Sequence, residues 1–129
     1  MGDANPKYKD LPRPESISVF ENGTRAHKKV ISLNMLEQQQ YIVHRSASDL
    51  FVYLTNLYIV GIADVHEIIA KYPDVNCIVT ISGWNSYSSE AKAFCISQEI
   101  GLFKFSEYYG ALNYFNDKFY TYKPPSSED

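Results

Sequence analysis

The chain has 129 residues, 45% of them hydrophobic and 15% aromatic, with a formal net charge of −3. That suits one domain with one core and supplies enough apolar surface to fold alone. It excludes a global basic field that would draw the chain to nucleic acid, and no apolar run reaches the length of a membrane span.

In chain order, residues 1–16 carry Pro6, Pro12 and Pro14 among charges and read as an extended or disordered arm. Residues 17–20 suggest a short strand before the turn Glu21-Asn22-Gly23. Thr24 reads as an N-cap, and Ala26, Val30, Leu33 and Leu36 follow at helical spacing up to Gln38-Gln39-Gln40. Residues 41–45, 49–54 and 57–62 then read as three strands, joined so tightly that they must be antiparallel neighbours. Residues 63–71 form an amphipathic helix stopped by Tyr72-Pro73-Asp74. Residues 77–81 are continuously apolar, as in a strand buried on both faces. After a polar loop, Ser88 or Ser89 caps a helix through Glu99. Residues 101–104 are a last strand, Ser106-Glu107 opens a short helix, and residues 123–129 are a polar tail. The domain proper is residues 17–122, an α/β unit with a mixed central sheet flanked by helices.

The charge is uneven. Residues 1–45 hold seven Lys and Arg against five Asp and Glu, and the remainder holds five against ten. A phosphate-binding face therefore belongs in the first third. Arg25, Lys28 and Lys29 cluster at the start of the expected first helix, with Arg45 at a strand end, as candidate phosphate contacts. The loop Ser82-Gly-Trp-Asn-Ser-Tyr-Ser-Ser-Glu90 links a buried strand to a helix start, where free N–H groups and the helix dipole favour an anion. It lacks a glycine-rich phosphate fingerprint. Trp84, the only tryptophan, and Tyr87 suit stacking on a base or packing on a protein. Eleven tyrosines mainly supply an amphipathic core edge. Cys77 and Cys95 sit in apolar runs without partners at metal-ligand spacing and read as buried, reduced thiols. With no apolar signal region in the first residues, the expected location is the cytoplasm.

The order helix, three-stranded meander, helix, strand, helix, strand over residues 22–113 resembles the PD-(D/E)XK, or restriction-endonuclease-like, superfamily. Within it the nearest likeness is the Mrr-like and Holliday-junction-resolvase-like branch. The resemblance rests on Gly23-Thr-Arg-Ala-His27, Leu36-Glu-Gln-Gln-Gln-Tyr-Ile-Val43, Leu57-Tyr-Ile-Val-Gly-Ile-Ala63, Asn76-Cys-Ile-Val-Thr-Ile-Ser82 and Ser89-Glu-Ala-Lys-Ala-Phe94. It implies a helix Glu, a strand Asp, and a third-strand carboxylate followed two residues later by Lys, which together hold Mg²⁺ and position water. At those positions stand His27, Asp49, Gly61 and Ala63. Only Asp49 is kept, so no catalytic residue and no metal or cofactor is expected.

The expected function is a catalytically inactive nuclease-fold binding module, acting on DNA or on a protein and able to form a homodimer. Two alternatives stand beside it. One is an active nuclease with a relocated site at His27, Asp49 and Asp64, which could take a softer ion such as Zn²⁺ or Mn²⁺. The other is a Rossmann-like nucleotide or anion domain reading phosphate at residues 82–89, which the antiparallel meander argues against. His44 and His66 have no supporting partners in the sequence pattern.

Overall fold

The computed structural model describes residues 11–125. The first ten residues of the expected arm and the last four of the expected tail lie outside the described residues. The elements run α1 (Pro14–Ala26), β1 (Val30–Glu37), β2 (Gln40–Arg45), β3 (Leu50–Thr55), β4 (Ile59–Val60), α2 (Ile62–Lys71), β5 (Cys77–Thr80), β6 (Ser86–Tyr87), α3 (Ser89–Ser97), β7 (Gly101–Lys104), α4 (Phe105–Ala111) and α5 (Asp117–Tyr120). The main sheet has five strands in the order β1-β2-β3-β5-β7. β1, β2 and β3 are antiparallel, whereas β3, β5 and β7 are parallel. β4 and β6 form a separate parallel pair.

Helices cover both faces. On one face Phe20 of α1, Tyr108 of α4, Leu112 just after it and Phe119 of α5 pack on Tyr41, Val43, Val52, Leu54 and Phe103. On the other, Val65 and Ile68 of α2 and Ala91 and Cys95 of α3 pack on Tyr53, Ile78 and Leu102. β5 is buried along its whole length, as its continuous apolar run requires. The mixed α/β sheet flanked by helices is therefore as the sequence indicates.

The first third is organised differently from the expectation. The helix expected from Thr24 to Gln40 is instead the end of α1 followed by β1. Pro14 occupies the first turn of α1 with Glu15 beside it, the geometry in which a fixed φ and a missing N–H cost nothing. The strand expected at residues 17–20 and the turn at Glu21-Asn22-Gly23 are inside this helix. Thr24 is no cap: it is buried, and its hydroxyl is 2.9 Å from the Tyr108 hydroxyl. Gly23 lets α1 approach Tyr109 closely: a Cβ there would overlap the hydroxyl end of the Tyr109 side chain unless that side chain moved.

Val30, Ile31, Leu33 and Met35 satisfy a two-residue period nearly as well as a helical one. The decision comes from β2, which pairs back across the two-residue turn 38–39. Gln39 adopts φ 72 there, a left-handed conformation that tight hairpins demand. The meander is consequently shifted by one strand: its third member is Leu50–Thr55. The strand expected at residues 57–62 shrinks to Ile59–Val60, because Gly61 already stands at the N-cap of α2.

Candidate functional site

The parallel strands β3, β5 and β7 end on the same side of the sheet, where open α/β sheets present their ligand crevices. Four polar side chains form a closed network between β3 and β5. Ser82 Oγ donates to Asn56 Oδ1 at 2.5 Å. The Asn85 amide donates to Asn56 Oδ1 and to Thr80 Oγ1, both at 3.0 Å. Thr80 Oγ1 donates in turn to the Leu57 carbonyl at 2.7 Å. Burial of Asn85 and Thr80 is tolerated because the Asn85 NH2 group and the Thr80 hydroxyl find partners.

This network fixes both ends of the loop and leaves its tip outside. Trp84 is 63% exposed, with the Arg13 guanidinium 5.6 Å over its ring. Tyr58, Ile59 and Ile62, near the same strand ends, are also exposed. The expected anion seat at residues 82–89 is largely occupied by the protein itself. The Ser88 hydroxyl accepts the Ala91 N–H at 3.0 Å, and the Ser88 N–H donates to the Val60 carbonyl at 3.0 Å.

Tyr87 is committed to the interior. Its hydroxyl donates to both carboxylate oxygens of Glu107, at 2.9 and 3.0 Å, and Glu107 also accepts the Lys104 N–H at 2.9 Å. Burial first, then the adjacent Glu107 charge, pushes the Tyr87 hydroxyl well above its ordinary value. Beside it, Lys92 donates to the Leu102 carbonyl at 2.7 Å and lies 4.6 Å from the Phe103 ring centre. Burial lowers its pKa, while Glu107 acts in the opposite direction. Glu107 and Lys92 were not singled out from sequence. Only the fold brings α3, β6 and α4 together, so no local spacing marks them.

The residues matched to nuclease positions are scattered. His27 Nε2 donates to the Tyr109 carbonyl at 2.9 Å, and its Nδ1 accepts the Lys29 N–H at 3.1 Å. Asp49 precedes β3 and contacts His44 Nδ1 at 3.2 Å. Asp64 accepts the Gly61 N–H at 2.8 Å, closing the first turn of α2. Gly61 and Ala63 stand at the start of α2, not on a strand. The third strand of the observed meander, β3, reads Leu-Phe-Val-Tyr-Leu-Thr and contains no carboxylate and no lysine. Among the described residues, no three His, Cys, Asp or Glu side chains gather as a metal-holding group.

The expected phosphate contacts also separate. Arg45 is 4% exposed and is a structural tie rather than a surface cation. It donates to the carbonyls of Leu112 and Tyr114 at 3.1 and 2.7 Å and to Ser48. Its guanidinium lies 4.2 Å from the Phe115 ring centre. Arg25 is in the last turn of α1, not the first, 3.9 Å from Glu21. Lys28 and Lys29 are exposed in the turn that follows. His66 is exposed with its ring 4.5 Å from that of Phe94. Cys77 and Cys95 are buried and free.

Among the described residues, no helix is long and apolar enough to cross a membrane. No protein-family model, curated protein or solved structure matches the chain.

Proposed function

We propose that the chain is a non-catalytic binding module on a restriction-endonuclease-like scaffold, and that it engages a protein partner through the surface around Trp84. The scaffold reading is supported by the element order: a helix, an antiparallel meander, then helix, strand, helix, strand, with the last strands parallel to β3. The absence of Lys or carboxylate from β3 supports the loss of catalysis. The observation that carries the binding role is Trp84, 63% exposed on a loop whose base is closed by hydrogen bonds. A rigidly presented aromatic with apolar neighbours is the composition of an interface anchor. A protein is favoured over DNA because Arg45 and Tyr87 are spent inside the fold, leaving only Arg25, Lys28 and Lys29 of the proposed phosphate contacts outside.

Trp84 is also the only tryptophan, so its emission reports directly on this surface. Trp84→Ala should change stability by less than about 0.5 kcal/mol, as for an exposed site, while abolishing partners captured by the unmodified chain. With Mg²⁺ or Mn²⁺, neither plasmid nor branched DNA should be cleaved. Titration with branched DNA should leave Trp84 emission unchanged. The proposal fails if DNA binds with a steep salt dependence, loses affinity on charge reversal at Arg25, Lys28 and Lys29, and is indifferent to Trp84→Ala. Metal-dependent cleavage abolished by Asp49→Ala would restore the nuclease reading.

A further inference from the structure

β1 ends the sheet, and no strand among the described residues pairs with its outer side. It is eight residues long, with Ile31, Met35 and Leu36 exposed by 70, 61 and 51%. Such an edge offers unpaired N–H and C=O groups to another strand.

The register shows which groups face outward. The Leu54 N–H donates to the Gln39 carbonyl, and Tyr41 and Val43 stand opposite Val52 and Leu50. Alternation along an antiparallel ladder then turns Gln39, Tyr41 and Val43 toward β3, and Ile42 and His44 toward β1. Their partners Asn34 and Ser32 face β2. The backbone groups of Leu33 and Met35 are left pointing out of the sheet.

The same edge is complementary to its own reverse. About Leu33, Ser32 is opposite Asn34, Ile31 opposite Met35, Val30 opposite Leu36, and Lys29 opposite Glu37. Polar meets polar, apolar meets apolar, and cation meets anion at both ends. Both Lys29 and Glu37 are exposed. Parity agrees: an axis through Leu33 sets outward groups against outward groups, whereas a one-residue slip sets them against inward ones. Register shifts beside Ile31 and Leu36 bound the straight stretch, so the Ser32–Asn34 pairs about Leu33 lie in regular ladder, and Val30 with Leu36 and Lys29 with Glu37 meet as side-chain pairs beyond it, where bulges increase the local twist.

We infer that a second copy of this chain is the partner of this edge, paired antiparallel about a two-fold axis at Leu33 into one continuous sheet. The contact is isologous and uses none of the residues around Trp84, so it stands apart from the binding role above.

Sedimentation equilibrium of the full chain over a concentration series should show a monomer–dimer equilibrium. Lys29→Glu and Glu37→Lys should each weaken it several-fold, because each places like charges opposite one another at both ends. Lys29→Glu combined with Glu37→Lys should restore it. The pair Ser32→Cys and Asn34→Cys, directly opposite in this register, should cross-link the dimer on oxidation. A chain monomeric at every concentration overturns the inference. So does a dimer indifferent to the single reversals, a double reversal as weak as the singles with an unchanged circular dichroism spectrum, or a cysteine pair that does not cross-link.

Discussion

At the end of β2 the Arg45 guanidinium is held by two carbonyls of the α4–α5 connection, by Ser48 and by an aromatic ring. Removing it leaves the buried Leu112 carbonyl and the half-buried Tyr114 carbonyl without that donor. Arg45→Ala should therefore cost about 3 kcal/mol in urea unfolding. A loss below about 0.5 kcal/mol, the range for surface substitutions, would return Arg45 to the surface role its sequence position suggests. Nothing in the sequence distinguishes the two. A strand-end arginine looks the same whether its fork meets phosphate or the carbonyls of Leu112 and Tyr114, residues far along the chain. His27 is comparable, since both its ring nitrogens are used by backbone groups that no local pattern identifies. Trp84 was more legible. Gly83 and Asn85 beside it mark a turn, and turns face solvent.

At the scale of elements, β2, β3, α2, β5, α3, β7 and α4 lie within a residue or two of where the sequence puts them, whereas the chain before β2, the strand expected at residues 57–62 and the short pair β4–β6 do not. β5, α2 and β7 have a single consistent signal each: a continuous apolar run, an amphipathic stretch ended at Pro73, a short strand after Gly101. Val30–Glu37 carries two signals, and tertiary pairing chooses between them. Gly23 is where that choice can be tested. In an exposed helix, Gly→Ala stabilises by about 1 kcal/mol. Here α1 lies against Tyr109, and an added methyl would collide with its ring. Gly23→Ala should destabilise by about 1–3 kcal/mol as an overpacked contact. A gain in thermal midpoint would instead place Gly23 on an open helix face.

For the whole molecule, burial of ionisable groups sets the alkaline limit of the fold. Burial pushes Cys77 from an ordinary 9.0 up to about 12 and Cys95 up to about 11, and it raises Tyr108 as well. The unfolded chain gives up these thiol protons near pH 9 while the folded chain keeps them. Their contribution is thus complete below pH 9 and is lost as pH rises toward 12. Lys92 and Arg45, both lowered by burial, act oppositely but are two groups against several. Urea midpoints should hold to about pH 9 and then fall steadily; a midpoint unchanged at pH 11 would contradict the burial of these thiols. The arrangement of the layers also governs the order in which the molecule can be finished. The meander closes through turns of two and four residues, so its contacts are local and its strands can meet before the later elements exist. Yet the face of Tyr41, Val43 and Val52 is completed by Tyr108, Leu112 and Phe119, which follow it far along the chain. A nascent chain that has emerged only as far as β7 therefore carries an unpaired sheet edge and an uncovered core face, and termination before α4 leaves both exposed to aggregation.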